Sequence, residues 1–152
     1  MKKLLTIIAL ILTSATYAYE LPVMVSRHLT IINTEEGRFQ IKGLYHPDTN
    51  RLEIHNRLKG EELVYVLAHE RGHWYEFQVM TRLQRRIWNR ALKREQYMPT
   101  KYCRETPVHQ NEECWAETLA QAVVYNRFPP ENTSEYRIIK KASDKFKLIF
   151  NK

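Results

Sequence analysis

The chain has 152 residues, 43% hydrophobic and 27% charged, with 24 basic and 17 acidic side chains for a net charge of +7. That length suits one domain, and it can bury a core without covalent staples. The only cysteines, Cys103 and Cys114, lack the close paired spacing of a cysteine-type zinc site and exclude one.

The start, MKKLLTIIALILTSATYA, joins Lys2 and Lys3 to an apolar run from Leu4 to Leu12 and then to small residues ending at Ala18. An apolar run of roughly nine residues is too short for a bilayer, which needs about twenty, and the pattern is that of a bacterial secretory signal cleaved after Ala18. Residues 19–152 are then expected to form a single exported domain, periplasmic or secreted. Losing Lys2 and Lys3 leaves 22 basic residues against 17 acids, so this part stays basic at +5. Export makes a Cys103–Cys114 disulfide possible. Cys114 also lies in an apolar helical pattern that would suit a buried thiol.

From His28 to His55 the chain reads as strands forming a small antiparallel sheet. HLTII is rich in β-branched residues, FQIKGLY alternates through Phe39, Ile41 and Tyr45, and RLEIH alternates through Leu52 and Ile54. HPDTN, His46 to Asn50, carries turn chemistry between the last two. The period then becomes helical, predicting a helix over Glu61–Val79 and a second over Thr81–Gln96 with Leu83, Ile87 and Ala91 as its apolar stripe. Beyond Pro99, Thr106 and Pro107 resemble a helix start, and EECWAETLAQAVVY continues that helix. FPPENTS is a loop, and Glu135–Phe150 is a final amphipathic helix. The fold class expected is α+β.

Within the first helix stands HERGH. Residues four apart share a helix face, so His69 and His73 can present two imidazoles to one metal ion, with Glu70 about 100° round the helix beside it. A carboxylate there can take a proton from metal-activated water. By residue frequency alone such a pattern arises roughly once in fifty chains of this kind, and its helical setting strengthens it. A catalytic zinc site commonly takes three protein ligands. The extended HExxHxxGxxH form is excluded because the later positions hold Glu76 and Val79. Glu76 lies too far along the helix to be a ligand and would rather steady His73. Asp48 and Asp144, the only aspartates, fall outside any helix positioned to return to the site. Glu112, Glu113 and Glu117, by contrast, sit on an otherwise apolar helix, where buried carboxylates need a cation or hydrogen-bond partner. Glu113 and Glu117 are an i, i+4 pair that could divide the work, Glu113 binding the metal and Glu117 orienting a ligand histidine.

HERGH followed by ECWAE resembles the gluzincin arrangement, and the match at Glu113, Ala116, Glu117 and Ala120 is closest to compact lethal-factor-like and Pro-Pro-endopeptidase-like secreted metallopeptidases. The resemblance covers about Gly43 to Tyr125. It implies a zincin-like domain with one Zn²⁺ on His69, His73 and Glu113, Glu70 as base, and a peptide or protein substrate along the sheet edge near Leu52 to His55. The family's oxyanion-stabilising tyrosine would fall at position 106, which is Thr, so Tyr102 or His109 is expected in that role. His28, His46 and His55 have no partner spacing and read as surface or sheet residues. Two other readings are a zinc-binding module without activity and a cationic protein that meets anionic envelope surfaces through the basic run from Arg82 to Arg104. No nucleic-acid partner is expected.

Overall fold

The computed structural model describes residues 21–26, 31–34, 37–93 and 110–150. The expected signal, His28, the helix start at Thr106 and Pro107, and the basic residues Arg94, Lys101 and Arg104 lie outside them. The architecture is α+β: β1 (Val23–Ser26), β2 (Ile31–Thr34), β3 (Gly37–Gln40), β4 (Gly43–His46) and β5 (Arg51–His55) precede α1 (Gly60–Gln78), α2 (Arg82–Lys93), α3 (Gln110–Tyr125) and α4 (Ser134–Phe150).

The sheet is mixed, not wholly antiparallel. Its order is β1-β5-β4, with β1 parallel and β4 antiparallel to β5, while β2 and β3 form a separate two-stranded ribbon. The chain leaves β1, makes that ribbon, and returns through β4 before β5 enters between its neighbours. VMVS escapes a search for alternation because three of its four residues are apolar in succession. FQIKGLY is two strands rather than one, since its first part pairs with β2 and its last part with β5. The stretch near Leu52 to His55 is therefore the middle of the sheet and offers no free edge; among the described strands, β4 supplies the edge facing the helices. The β4–β5 turn is set by Asn50, which adopts φ 48°, a left-handed conformation that asparagine tolerates.

Alternation along β4 and β5 sends Tyr45, Leu52 and Ile54 into the core, each no more than 5% exposed. α1 begins without a side-chain cap on Lys59, but Glu61 and Glu62 in its first turn complement the positive end of the helix. α2 starts with a capping box: Thr81 Oγ1 accepts from the Gln84 N–H at 3.2 Å, and Gln84 Oε1 accepts from the Thr81 N–H at 2.9 Å. Its buried face keeps Ile87 and Ala91 of the expected stripe but not Leu83. Leu83 is 64% exposed, while Trp88, Ala91 and Leu92 are buried, because Trp88 packs edge-on against Trp115 with ring centroids 5.4 Å apart. Trp115 lies at the junction of the helices, and its Nε1 donates to the Gly72 carbonyl at 3.0 Å. Cys114 is buried and disulfide-bonded; Cys103, the other half of the expected pair, lies outside the described residues.

Candidate metal centre

The site is built by two antiparallel helices whose i, i+4 rows oppose one another. Tyr65, His69 and His73 follow each other along α1, and Gln121, Glu117 and Glu113 run the opposite way along α3, so that each residue meets its counterpart. The helices can come this close because neither carries bulk at the crossing: a Cβ added to Gly72 would lie 2.8 Å from the Ala116 Cα.

His69, His73 and Glu113 converge so that the group could hold a metal ion. His69 Nε2 is 3.3 Å from His73 Nε2 and 3.3 Å from Glu113 Oε2, and His73 Nε2 is 3.5 Å from Glu113 Oε1. Ligand bonds of about 2.0–2.2 Å in a tetrahedron place donor atoms roughly 3.3–3.6 Å apart. The two imidazole nitrogens stand at that spacing, and each faces a different oxygen of the Glu113 carboxylate at a similar distance, with one ligand atom from each of the three residues lying within 4.8 Å of the others. All three side chains are mostly shielded, with side-chain exposures of 17%, 13% and 27%.

The electrostatics bind the same residues together. Burial works against a charged His69, but hydrogen bonds with Glu113 and Glu117 and the nearby Glu70 carry its pKa up to about 10. Glu113 is likewise opposed by burial, yet its hydrogen bonds with His69 and His73 hold it well below the usual carboxylate range. Glu117 reaches the far nitrogen of His69, Nδ1, at 3.5 Å. Its own pKa is lowered by hydrogen bonds with His69, Tyr65 and Gln121 in spite of burial.

Glu70 is 7% exposed, borders the same cavity as His69, His73 and Glu113, and its Oε2 accepts from the Tyr45 backbone N–H at 2.9 Å. Burial raises its pKa. Tyr45 therefore points its N–H away from β5, while Lys42, on the alternate phase, accepts from the His55 N–H at 3.0 Å. The outer edge of β4 thus carries the backbone groups of Gly43 and Tyr45 toward α1. Two cavities open on either side of His69 and Glu70 and share Gly43: one of about 740 Å³ toward Glu61 and Tyr125, and one of about 520 Å³ toward Phe77 and Glu112.

The expectation for Glu76 is altered. Glu76 is 2% exposed and pairs with Arg85, its Oε1 3.6 Å from Arg85 Nη1; it acts on His73 only through charge. Glu112 borders the second cavity and is not one of the three donors. His46 bonds with Glu53 at 3.1 Å on the sheet, and His55 accepts from the Arg57 N–H at 3.1 Å. Tyr102 and His109 lie outside the described residues. Tyr65, Gln121 and Gly43 were not singled out from sequence. The first two are one helical turn from His69 and Glu117, so extending each row by four residues would have found them. Comparisons with protein-family models, curated proteins and solved structures returned no match.

Proposed function

We propose that the protein is a zinc-dependent endopeptidase of the gluzincin type, with His69, His73 and Glu113 holding one Zn²⁺ and Glu70 serving as general base. The observation that carries this reading is the convergence of His69, His73 and Glu113 beside the buried carboxylate of Glu70. Histidine nitrogens and a carboxylate oxygen suit zinc, and three ligands leave a fourth position for reaction. Bound there, zinc would polarise the scissile carbonyl and activate a water molecule.

The chain's own residues supply the rest. The Tyr45 N–H orients Glu70, and burial brings its pKa toward the range in which a carboxylate can accept the water's proton and then pass it to the leaving amine. A substrate strand could pair with the outer edge of β4 beside Gly43, using main-chain hydrogen bonds for alignment. Cavities on both sides of Glu70 favour cleavage within a chain over removal of a terminal residue. Arg82, Arg85, Arg86 and Arg90 border a separate hollow on α2, which could hold the enzyme near an anionic envelope surface after export.

The test is cleavage of a degenerate peptide library by the zinc-loaded protein and its Glu70→Gln variant. A chelator should abolish cleavage, and Glu70→Gln should keep one zinc per chain while losing about 10²- to 10⁴-fold in rate. Undiminished cleavage in that variant would refute the mechanism.

A further inference from the structure

We propose that the cavity between β4 and the first turns of α1 selects a lysine or arginine side chain of the substrate next to the scissile bond, with Glu61 as the selecting residue. This rests on the peptidase reading above and adds a substrate class to it. The cavity of about 740 Å³ has two kinds of wall. Tyr65, Val66 and Tyr125 form an apolar side, the two tyrosine rings lying 5.6 Å apart and inclined by 30°. Glu61 and Glu62 stand at its rim, both exposed.

The two rim acids are not equivalent. Lys42 Nζ is 2.6 Å from Glu62 Oε1, so the chain's own lysine neutralises Glu62. Glu61 is hydrogen-bonded with the Tyr125 hydroxyl, and no described cation pairs with it. Tyr125 already serves as a platform for positive charge, since the Arg127 guanidinium lies 5.4 Å from its ring centroid. A long cationic side chain matches both walls, its aliphatic stem on the rings and its charged head at Glu61. A purely apolar side chain would instead remove water from Glu61 without replacing its interactions.

Charge distribution points the same way. The protein carries +7 overall, yet six of its 17 acids, Glu61, Glu62, Glu70, Glu112, Glu113 and Glu117, border the two cavities beside the metal centre. Lys42 is the only lysine or arginine among the residues lining them. A dication at the centre would offset Glu113 and its neighbours but would leave the distant rim acidic.

The experiment uses the zinc-loaded full chain and peptides that differ only in having Lys, Arg, norleucine or Glu at each position flanking the cleaved bond. At one flanking position Lys and Arg should exceed norleucine by about tenfold in kcat/KM. Glu61→Gln should bring that ratio toward parity, and Glu61→Lys should invert it in favour of the Glu peptide. Equal cleavage of the Lys and norleucine peptides by the wild type, or an unchanged preference in Glu61→Lys, would overturn the proposal while leaving peptidase activity intact. Absence of cleavage of every peptide would instead defeat the peptidase reading. Binding of the same peptides to zinc-loaded Glu70→Gln would then decide the cavity's role. Lysine-dependent binding lost on adding Glu61→Lys supports it, and equal binding of the Lys and norleucine peptides overturns it.

Discussion

Glu117 Oε2 stands 3.5 Å from Nδ1 of His69, while Nε2 of the same ring faces Glu113 at 3.3 Å. The imidazole is thus held from both ends. A carboxylate at the rear nitrogen fixes the ring's orientation and raises its basicity toward a metal at the front. Glu117→Ala should weaken zinc binding by about 10- to 100-fold in competition titrations against a chelating dye, whereas Glu113→Ala, which removes a donor, should cost more. An unchanged dissociation constant in Glu117→Ala would remove Glu117 from the site's machinery.

Gly72 permits the helix crossing that makes those contacts. Replacing glycine by alanine inside a helix would ordinarily stabilise it by roughly 0.5–1 kcal/mol. Here the new Cβ would meet the Ala116 Cα at 2.8 Å and the Ala116 carbonyl oxygen at 3.2 Å, and backbone cannot rotate away. Overpacking of this kind costs about 1–3 kcal/mol, so steric repulsion wins. Gly72→Ala should lower the melting temperature and, by forcing α3 from α1, reduce zinc affinity as well; a higher melting temperature would show that the helices yield easily.

The centre was legible in sequence where its geometry is local. His69 and His73 share a face by helical period alone, and Glu113 with Glu117 could be suspected because carboxylates interrupted an apolar stripe. What escaped depends on contacts distant in the chain. Glu70's partner is a backbone N–H of Tyr45, 25 residues away, and backbone groups leave no mark on side-chain pattern. The pairing of Glu76 with Arg85 requires knowing how α2 turns back on α1. The middle position of β5 depends on β1, whose apolar run gave no period to detect. Strand existence was therefore easier to read than strand order.

Gly43 brings the edge strand against the helix, and a Cβ there would lie 2.7 Å from both Glu70 Cγ and Val66 Cγ1. These are side-chain atoms that can move, so Gly43→Ala should fold and take up zinc as the wild type is proposed to do. The displaced group would be Glu70, drawn from the Tyr45 N–H that orients it. Misplacement of a reacting group by about 1 Å can cost on the order of 10²-fold. Gly43→Ala should accordingly reduce kcat with zinc stoichiometry unchanged, in contrast to Gly72→Ala. A kcat equal to wild type would mean that Glu70 needs no support from β4.

A metal ion at the proposed centre would compete with protons for His69 and give stability a distinctive pH dependence. In the metal-free chain His69 titrates at about 10 rather than its ordinary 6.5, so its contribution is complete below pH 6.5 and is lost as pH rises through 10. Glu113 is shifted downward; its contribution is present above its ordinary 4.5 and disappears as pH falls below that value. Burial raises Glu76 to about 7, and ionising it in the fold costs stability progressively between pH 4.5 and 7. The metal-free protein should therefore melt highest near about pH 5 and decline toward alkaline pH. Zinc requires the deprotonated imidazole, so binding releases a proton and tightens as pH rises. Melting curves with excess chelator and with one equivalent of zinc should diverge increasingly between pH 6.5 and 10. If zinc raised the melting temperature equally throughout that window, His69 would not be the residue where proton and metal exchange.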